Sequence, residues 1–185
     1  MAEAKVRLSP VLQSALESID RSIDGMSDEQ MMWHPEGKWS AAEILEHLSL
    51  AYSRTTERMT LTLQQGAQPQ LPRRTMKEWV GGLIVLRLSR IPAGRKAPEA
   101  LLPKGMSPQD VRSSIRKNLA ALDRTIDGCE ERFGGTRKVL VHAVLGPLSA
   151  REWRKFHRLH TLHHVGQIEE LRAKMKQTEF RQSSA

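Results

Sequence analysis

Four helix-start signals, each followed by apolar residues at helical spacing, constrain the fold of this chain more than any other feature. Each signal begins with a serine, whose side-chain oxygen can accept a hydrogen bond from the first turn of a following helix. Two signals are capping boxes with a glutamate three residues on, and the other two carry a proline at the first helical position. The pattern predicts four long helices, which start after Ser9, Ser40, Ser107 and Ser149.

Apolar stripes and turn residues predict where these helices run. The first helix is predicted to end at Asp24-Gly25, the second at Gly66 and the third at Asp127-Gly128. The last is predicted to run to about Lys176, before a polar tail at 177–185. The predicted inward-facing residues are Leu12, Leu16, Ile19 and Ile23; Leu45, Leu48, Tyr52, Thr55, Met59 and Leu63; Val111, Ile115, Leu119, Leu122 and Ile126; and Trp153, Phe156, His160, His164, Ile168, Leu171 and Met175.

The connection between the second and third long helices is far longer than the other links. It contains a predicted helical piece from Met76 to Arg90 and an irregular segment from Ile91 to Gly105, while Phe133 to Leu148 is predicted to be a loop. No strand is predicted anywhere. A long connection of this kind is typical of a crossover between helices that run in the same direction. We therefore expect an all-α four-helix bundle, formed as one domain by residues 1–176.

Composition and charge indicate the compartment and the kinds of partner that fit this chain. The single cysteine, Cys129, excludes an internal disulfide and indicates a reducing compartment. The N-terminus lacks a signal-type apolar run, and the longest apolar stretch, Val80 to Leu88, cannot span a bilayer. The prediction is a cytoplasmic protein with no membrane partner. A net charge of +8 is compatible with nucleic-acid binding, but no run of five basic residues occurs, so that partner is not favoured.

The last helix carries the residues with the clearest chemical potential. Four of the seven histidines lie between His157 and His164. His160 and His164 are four residues apart, which puts both rings on one helical face, at positions where the stripe calls for apolar side chains. Burying two imidazoles is costly unless each finds a partner. A shared metal ion is one solution, and hydrogen bonds to neighbouring side chains or buried water are the other. His157 and His163 flank the stripe. His157 could join the cluster and either could orient a ligand histidine, but both are predicted to be boundary or surface residues.

A metal site would need a third ligand from another helix, and His47 is the best candidate because it borders the stripe of the second helix. His34, beside Pro35, is predicted to be exposed, and His142 is a weaker candidate. Position 161 holds Thr161, so the two histidines do not form the HExxH motif of metalloproteases. Gln167 could hydrogen-bond either a ligand histidine or a substrate.

Two motifs, in this order, resemble the DinB/YfiT-like superfamily. The first is Trp39-Ser-Ala-Ala-Glu-Ile-Leu-Glu-His47-Leu, and the second is His160-Thr-Leu-His-His164-Val-Gly-Gln-Ile. The resemblance implies an up-down-down-up bundle, often dimeric, with a divalent metal ion, commonly zinc or nickel. It also implies three histidine ligands, which correspond to His47, His160 and His164. Better-understood relatives are thiol-dependent: transferases that use a low-molecular-weight thiol such as bacillithiol, and a mycothiol-dependent maleylpyruvate isomerase.

Three functions stay open from the sequence. The first is a metal-dependent enzyme that activates a small thiol or water for a small-molecule substrate, as a transferase or a hydrolase. The second is a non-catalytic homodimeric bundle whose metal is structural or vestigial, and the third is a basic nucleic-acid-binding protein. Cys129, beside two glutamates, is not expected to act as a nucleophile. Five basic residues could form an anion-binding mouth or merely a solvated loop: Arg87, Arg90, Arg95, Lys96 and Lys104.

Overall fold

The structure of the protein, a computed structural model, describes residues 8–89, 91 and 96–183. It is mostly helical, as the sequence predicts, with one small two-stranded sheet. The helices are α1 (Pro10–Ile23), α2 (Asp28–Met32), α3 (Ala41–Gln65), α4 (Met76–Gly82), α5 (Pro108–Phe133) and α6 (Ala150–Ser183), with a π-helical turn at Leu83–Arg87 and a 3₁₀ turn at Glu99–Leu101, and the strands are β1 (Lys138–His142) and β2 (Gly146–Ser149).

The predicted capping signals hold in three of the four long helices. The Ser40 hydroxyl accepts the Glu43 N–H at 3.2 Å, and the Glu43 carboxylate accepts the Ser40 N–H at 2.8 Å. Equivalent bonds start α6 at Ser149, and the Ser107 hydroxyl caps α5. Ser9 differs, because its hydroxyl donates to Asp123 at 2.9 Å and so ties the start of α1 to α5.

Helices α3 and α5 run in the same direction, as the long connection predicts. Ser49, near the start of α3, is hydrogen-bonded to Ser114, near the start of α5, at 2.7 Å. At the other end, the Arg132 guanidinium donates to the carbonyl of Gly66, which ends α3, at 2.5 Å. These matched contacts show two parallel neighbouring helices joined by a crossover.

Helices α1 and α6 run opposite to that pair. The Arg172 guanidinium, late in α6, donates to the carbonyls of Ser22 at 2.8 Å and Asp24 at 3.0 Å, at the end of α1. Against α3 the order is reversed, because His157 in the early part of α6 contacts Thr55, which follows His47 in α3. The connectivity is therefore up-down-down-up, and the core fills the space between the four long helices.

The prediction of a strand-free loop before α6 is wrong. Strands β1 and β2 form an antiparallel hairpin in which Leu140 lies opposite Leu148. The Trp153 indole N–H, in the first turns of α6, donates to the Leu140 carbonyl at 3.2 Å and holds the hairpin against the bundle. The sequence pattern does not predict these strands, because they are short, one contains Pro147, and an irregular register interrupts their alternation.

Three helix ends also differ from the prediction. Helix α5 continues through Gly128 to Phe133, and α6 continues beyond Lys176 to Ser183. The α-helical piece from Met76 ends at Gly82 and gives way to the π-helical turn, while its predicted end at Arg90 lies outside the described residues. None of the described helices combines the length and the apolar character needed to cross a membrane.

Candidate metal centre

Three histidine side chains converge between α3 and α6. The His160 Nε2 atom lies 3.4 Å from the His47 Nε2 atom and 3.1 Å from the His164 Nε2 atom. One ligand atom from each ring lies within 4.8 Å of the other two. In the described part of the chain, no other group of three His, Cys, Asp or Glu side chains converges in this way. The structure thus brings together the three residues that the sequence and the family resemblance single out.

Each helix positions its histidines through ordinary geometry. His160 and His164 are four residues apart in α6, so their rings project from one face. His47 lies two turns into α3, which packs antiparallel to α6 and so presents its ring to the same point. The centre therefore requires both helices.

Hydrogen bonds on the far side of two rings determine which nitrogen faces the cluster. His47 donates its Nδ1–H to the Leu101 carbonyl at 2.9 Å, and His164 donates its Nδ1–H to the Gln167 Oε1 atom at 2.7 Å. A neutral imidazole with hydrogen on Nδ1 has its lone pair on Nε2. His160 Nδ1 is buried and has no hydrogen-bond partner. Two of the rings are thus held in the form that a metal ligand needs, with an outer hydrogen bond of the kind typical of metal-binding histidines.

Two of the three separations between the Nε2 atoms match those expected around a divalent metal ion. Two nitrogens each 2.0–2.1 Å from zinc at a tetrahedral angle would lie about 3.3 Å apart. The observed separations of 3.1 and 3.4 Å between Nε2 atoms agree with that value. The Nε2 lone pairs of His47 and His164 both face His160 Nε2, and a cation bound between the three rings would satisfy all three nitrogens.

Burial keeps the three rings neutral. Loss of solvent lowers the pKa of His47, lowers that of His160 well below its ordinary value, and lowers that of His164 to about 3. The neighbouring histidines add to the effect in His160 and His164, because a second positive charge nearby is unfavourable. Neutral imidazole is the form that binds metal ions, so the site needs no deprotonation at neutral pH.

Two aromatic side chains contact the histidine rings of the candidate metal centre. The Trp39 ring centroid lies 5.1 Å from that of His47, and Phe156 stacks on His160 with centroids 5.4 Å apart and planes 14° apart. Apolar surroundings of this kind exclude water and strengthen electrostatic interactions inside the site. His160 is half-buried, whereas His47 and His164 are buried.

The prediction that His157 is a boundary or surface residue is wrong. Its side chain is 1 % exposed, and its Nε2 atom is hydrogen-bonded to the Thr55 hydroxyl at 3.1 Å. It belongs to a buried line that includes Trp153 and Thr161, whereas Phe156 and His160 are only half-buried. The predicted stripe includes Phe156 because phenylalanine is apolar. In this part of α6 the stripe is therefore displaced by one position from the residues that are buried. His157 lies outside the group of three converging rings.

The remaining histidines do not join the site. His34 is exposed in a loop, as predicted. His163 is half-buried, with its Nε2 atom 3.5 Å from the Gln167 Nε2 atom. His142 lies on β1, where its Nδ1 atom accepts the N–H groups of residues 144 and 145, and it is not part of the converging group.

Other predicted functional residues have mixed outcomes. Cys129 lies inside α5 and not after its end, and burial raises the pKa of its thiol to about 11, so it stays protonated. Arg87, Lys96 and Lys104 are exposed, and Arg90 and Arg95 lie outside the described residues. The anion-binding mouth therefore stays a prediction.

Two contacts beside His47 were not predicted from the sequence. One involves the Leu101 carbonyl, and the other involves the buried carboxylate of Glu46, which accepts the backbone N–H groups of residues 104–106. The sequence offers no signal for the burial of Glu46, because this residue lies off the predicted apolar stripe of α3. A backbone carbonyl in an irregular segment offers no sequence signal.

Comparison with known proteins agrees with this geometry. A family model described as the DinB superfamily matches residues 12–168, a span that contains all three converging histidines. The chain belongs to the DinB superfamily. It is similar to the uncharacterized protein YuaE of Bacillus subtilis (strain 168), with 26% identity over 160 residues that cover 83% of this chain and 90% of that protein. No solved structure matches. The family resemblance inferred from the two motifs is confirmed.

Proposed function

We propose that this protein binds one divalent metal ion through the Nε2 atoms of His47, His160 and His164, and uses it to activate a small thiol or water. The observation that carries the proposal is the convergence of three Nε2 atoms while two of the rings donate their Nδ1 hydrogens elsewhere. Membership of the DinB superfamily supports the same ligand set. Zinc and nickel are the metals that this resemblance favours.

The side chains around the site have definable roles in this chemistry. A divalent ion bound by three neutral imidazoles would keep its full charge and would act as a Lewis acid. It would thereby lower the pKa of a bound water or thiol. Gln167 holds the His164 ring by accepting its Nδ1–H. Trp39 and Phe156 shield two of the rings from water. The reaction class proposed is transfer to or from a small thiol, or hydrolysis, on a small-molecule substrate by a homodimeric protein.

Metal analysis tests the site directly. Protein purified without a metal-affinity step is expected to contain one zinc or nickel ion per chain. His160→Ala is expected to abolish stoichiometric binding, since it removes the central ligand, while His34→Ala, at an exposed loop position, is expected to retain it. Wild-type protein without stoichiometric metal, even after incubation with zinc, would overturn the proposal.

Cobalt substitution separates the thiol from water as the activated group. If a small thiol binds the metal, its addition to the cobalt-loaded protein is expected to produce an intense near-ultraviolet thiolate-to-cobalt charge-transfer band. The buried, protonated Cys129 should not contribute to that band, and Cys129→Ser provides the control. A cobalt spectrum that does not respond to thiols would leave water as the activated group.

A further inference from the structure

The end of the long connection wraps around α3 immediately beside His47. The Leu101 carbonyl accepts the His47 Nδ1–H at 2.9 Å. A few residues later, the N–H groups of Lys104, Gly105 and Met106 donate to the Glu46 carboxylate at 2.8, 3.1 and 2.9 Å. We call residues 101–106 the strap. Two adjacent residues of α3, one of them a candidate metal ligand, thus hold the same short segment.

The Glu46 carboxylate depends on the strap for its stability. Its side chain is buried, with the residue 3 % exposed, and none of the ion pairs among the described residues includes it. A buried carboxylate is unfavourable unless hydrogen bonds replace its hydration, and three converging backbone N–H groups are an effective replacement. Gly105 has a φ of 87°, a backbone conformation that other residues rarely adopt, and it allows these groups to converge.

We propose that Glu46 is a positioning residue for the metal centre, an inference that rests on the proposed function. By anchoring the strap, Glu46 holds the Leu101 carbonyl where it fixes the His47 ring with Nδ1–H outward and Nε2 towards the other two histidines. Without the strap, water could bond to either ring nitrogen and the ring would lose its single orientation. A ligand histidine supported by such an outer bond typically binds its metal 10–100-fold more tightly than one that lacks it.

Thermodynamic linkage makes the coupling reciprocal. If an ordered strap strengthens metal binding, metal binding must stabilise the ordered strap by the same factor. The amide hydrogens of residues 104–106 are therefore expected to exchange more slowly with solvent in the zinc-loaded protein than in the metal-free protein. A purely structural role for Glu46 would not make this exchange depend on zinc.

Glu46→Gln tests the proposal by removing the charge while keeping the side-chain size. One carboxylate oxygen becomes an NH₂ group that faces backbone N–H donors, so at least one bond to the strap is lost. Competition with a chromogenic chelator is expected to show zinc affinity about 10–100-fold weaker than wild type. Glu57→Gln, an identical change at an exposed position of the same helix, is expected to leave zinc affinity unchanged.

The outcomes distinguish this inference from the proposed function. If wild-type protein binds no zinc, the proposed function itself fails. If wild-type protein binds zinc, and folded Glu46→Gln binds it equally well with the same zinc-dependent protection of residues 104–106, only the role of Glu46 is overturned. Should Glu46→Gln not fold, Gly105→Val provides a second test. Gly105 is exposed and a Cβ added there meets no atom within 4 Å, but its φ of 87° disfavours valine, so this change is expected to strain the strap and weaken zinc binding. Unchanged zinc affinity in folded Gly105→Val would also overturn the inference.

Discussion

Individual histidines in this chain acquire different chemistry from burial and from the partner of each ring nitrogen. His47 and His164 direct Nε2 to the candidate metal centre because Nδ1 is held by an oxygen on the far side. His142 has the opposite arrangement, since its Nδ1 atom accepts two backbone N–H groups and must be unprotonated. His157, which precedes His160 by three residues in α6, is buried and stacks on Trp153. Residue type alone therefore does not identify a ligand.

The buried His157 is expected to make the stability of the metal-free protein fall in acid. Burial lowers the pKa of His157 to about 3, with nearby His142 contributing. The unfolded chain takes up a proton near the ordinary value of 6.5, whereas the folded chain does not. The free energy of unfolding therefore decreases as pH falls from 6.5 towards 3, by up to about 1.4 kcal/mol per pH unit for this group.

Urea unfolding in the presence of a chelator, repeated over a range of pH below 6.5, measures this dependence. His157→Gln should reduce the slope of unfolding free energy against pH, because the group that binds a proton only in the unfolded state is gone. His34→Gln, at an exposed loop position, should leave the slope unchanged. An equal slope in wild type and His157→Gln would show that His157 is not held neutral in the folded protein.

At the scale of secondary-structure elements, local hydrogen bonds explain why the long helices begin where they do. The start of α3 matters most for the site, because His47 lies within its first two turns. Ser40 is 1 % exposed, and its exchange of bonds with Glu43 satisfies backbone groups that have no partner inside the helix. The capping box therefore stabilises the part of α3 that carries the ligand.

Removal of the Ser40 hydroxyl should destabilise the whole bundle measurably. Ser40→Ala is expected to lower the free energy of unfolding by about 1 kcal/mol, within the range of roughly 0.5–2 kcal/mol for lost caps. Ser53→Ala, in the same helix but with its hydroxyl bonded to a surface glutamate, should change stability little. Chemical denaturation of both variants gives the comparison, and equal losses would contradict a specific capping effect.

At the scale of the whole molecule, the candidate metal centre joins two helices that are distant in the chain. His47 and His160 are separated by 113 positions, and the crossover and the hairpin lie between them. A metal ion bound there would hold α3 and α6 together in the folded state alone, since the unfolded chain does not keep the three rings close. Homodimer formation stays a prediction, and nucleic-acid binding stays the alternative that the sequence does not favour.

Metal binding is therefore expected to raise the thermal stability of the fold. At a zinc concentration about 100 times the Kd, the stabilisation is about 2.7 kcal/mol, which for a chain of this size raises Tm by roughly 5–10 °C. Differential scanning calorimetry with zinc and with a chelator measures the shift. His160→Ala should show no zinc-dependent shift, and an equal rise in wild type and His160→Ala would indicate binding somewhere other than the three histidines.

The sequence by itself determined the features that depend on neighbours along the chain. Serine caps and helical apolar spacing predicted the four long helices, the long connection predicted a crossover, and the four-residue spacing paired His160 with His164. The third residue, His47, was already a candidate, but only the packing of α3 against α6 showed its Nε2 beside the others.

The tertiary structure alone decided which side chains are buried together and what holds each ring. The contact of His157 with Thr55 and the bonds from the strap to His47 and Glu46 all join groups that are far apart in sequence. Helix signals could be read from the sequence because each is satisfied within one turn. The groups that hold the histidine rings could not be predicted from the sequence, because a backbone carbonyl such as that of Leu101 acquires its role only when distant segments meet.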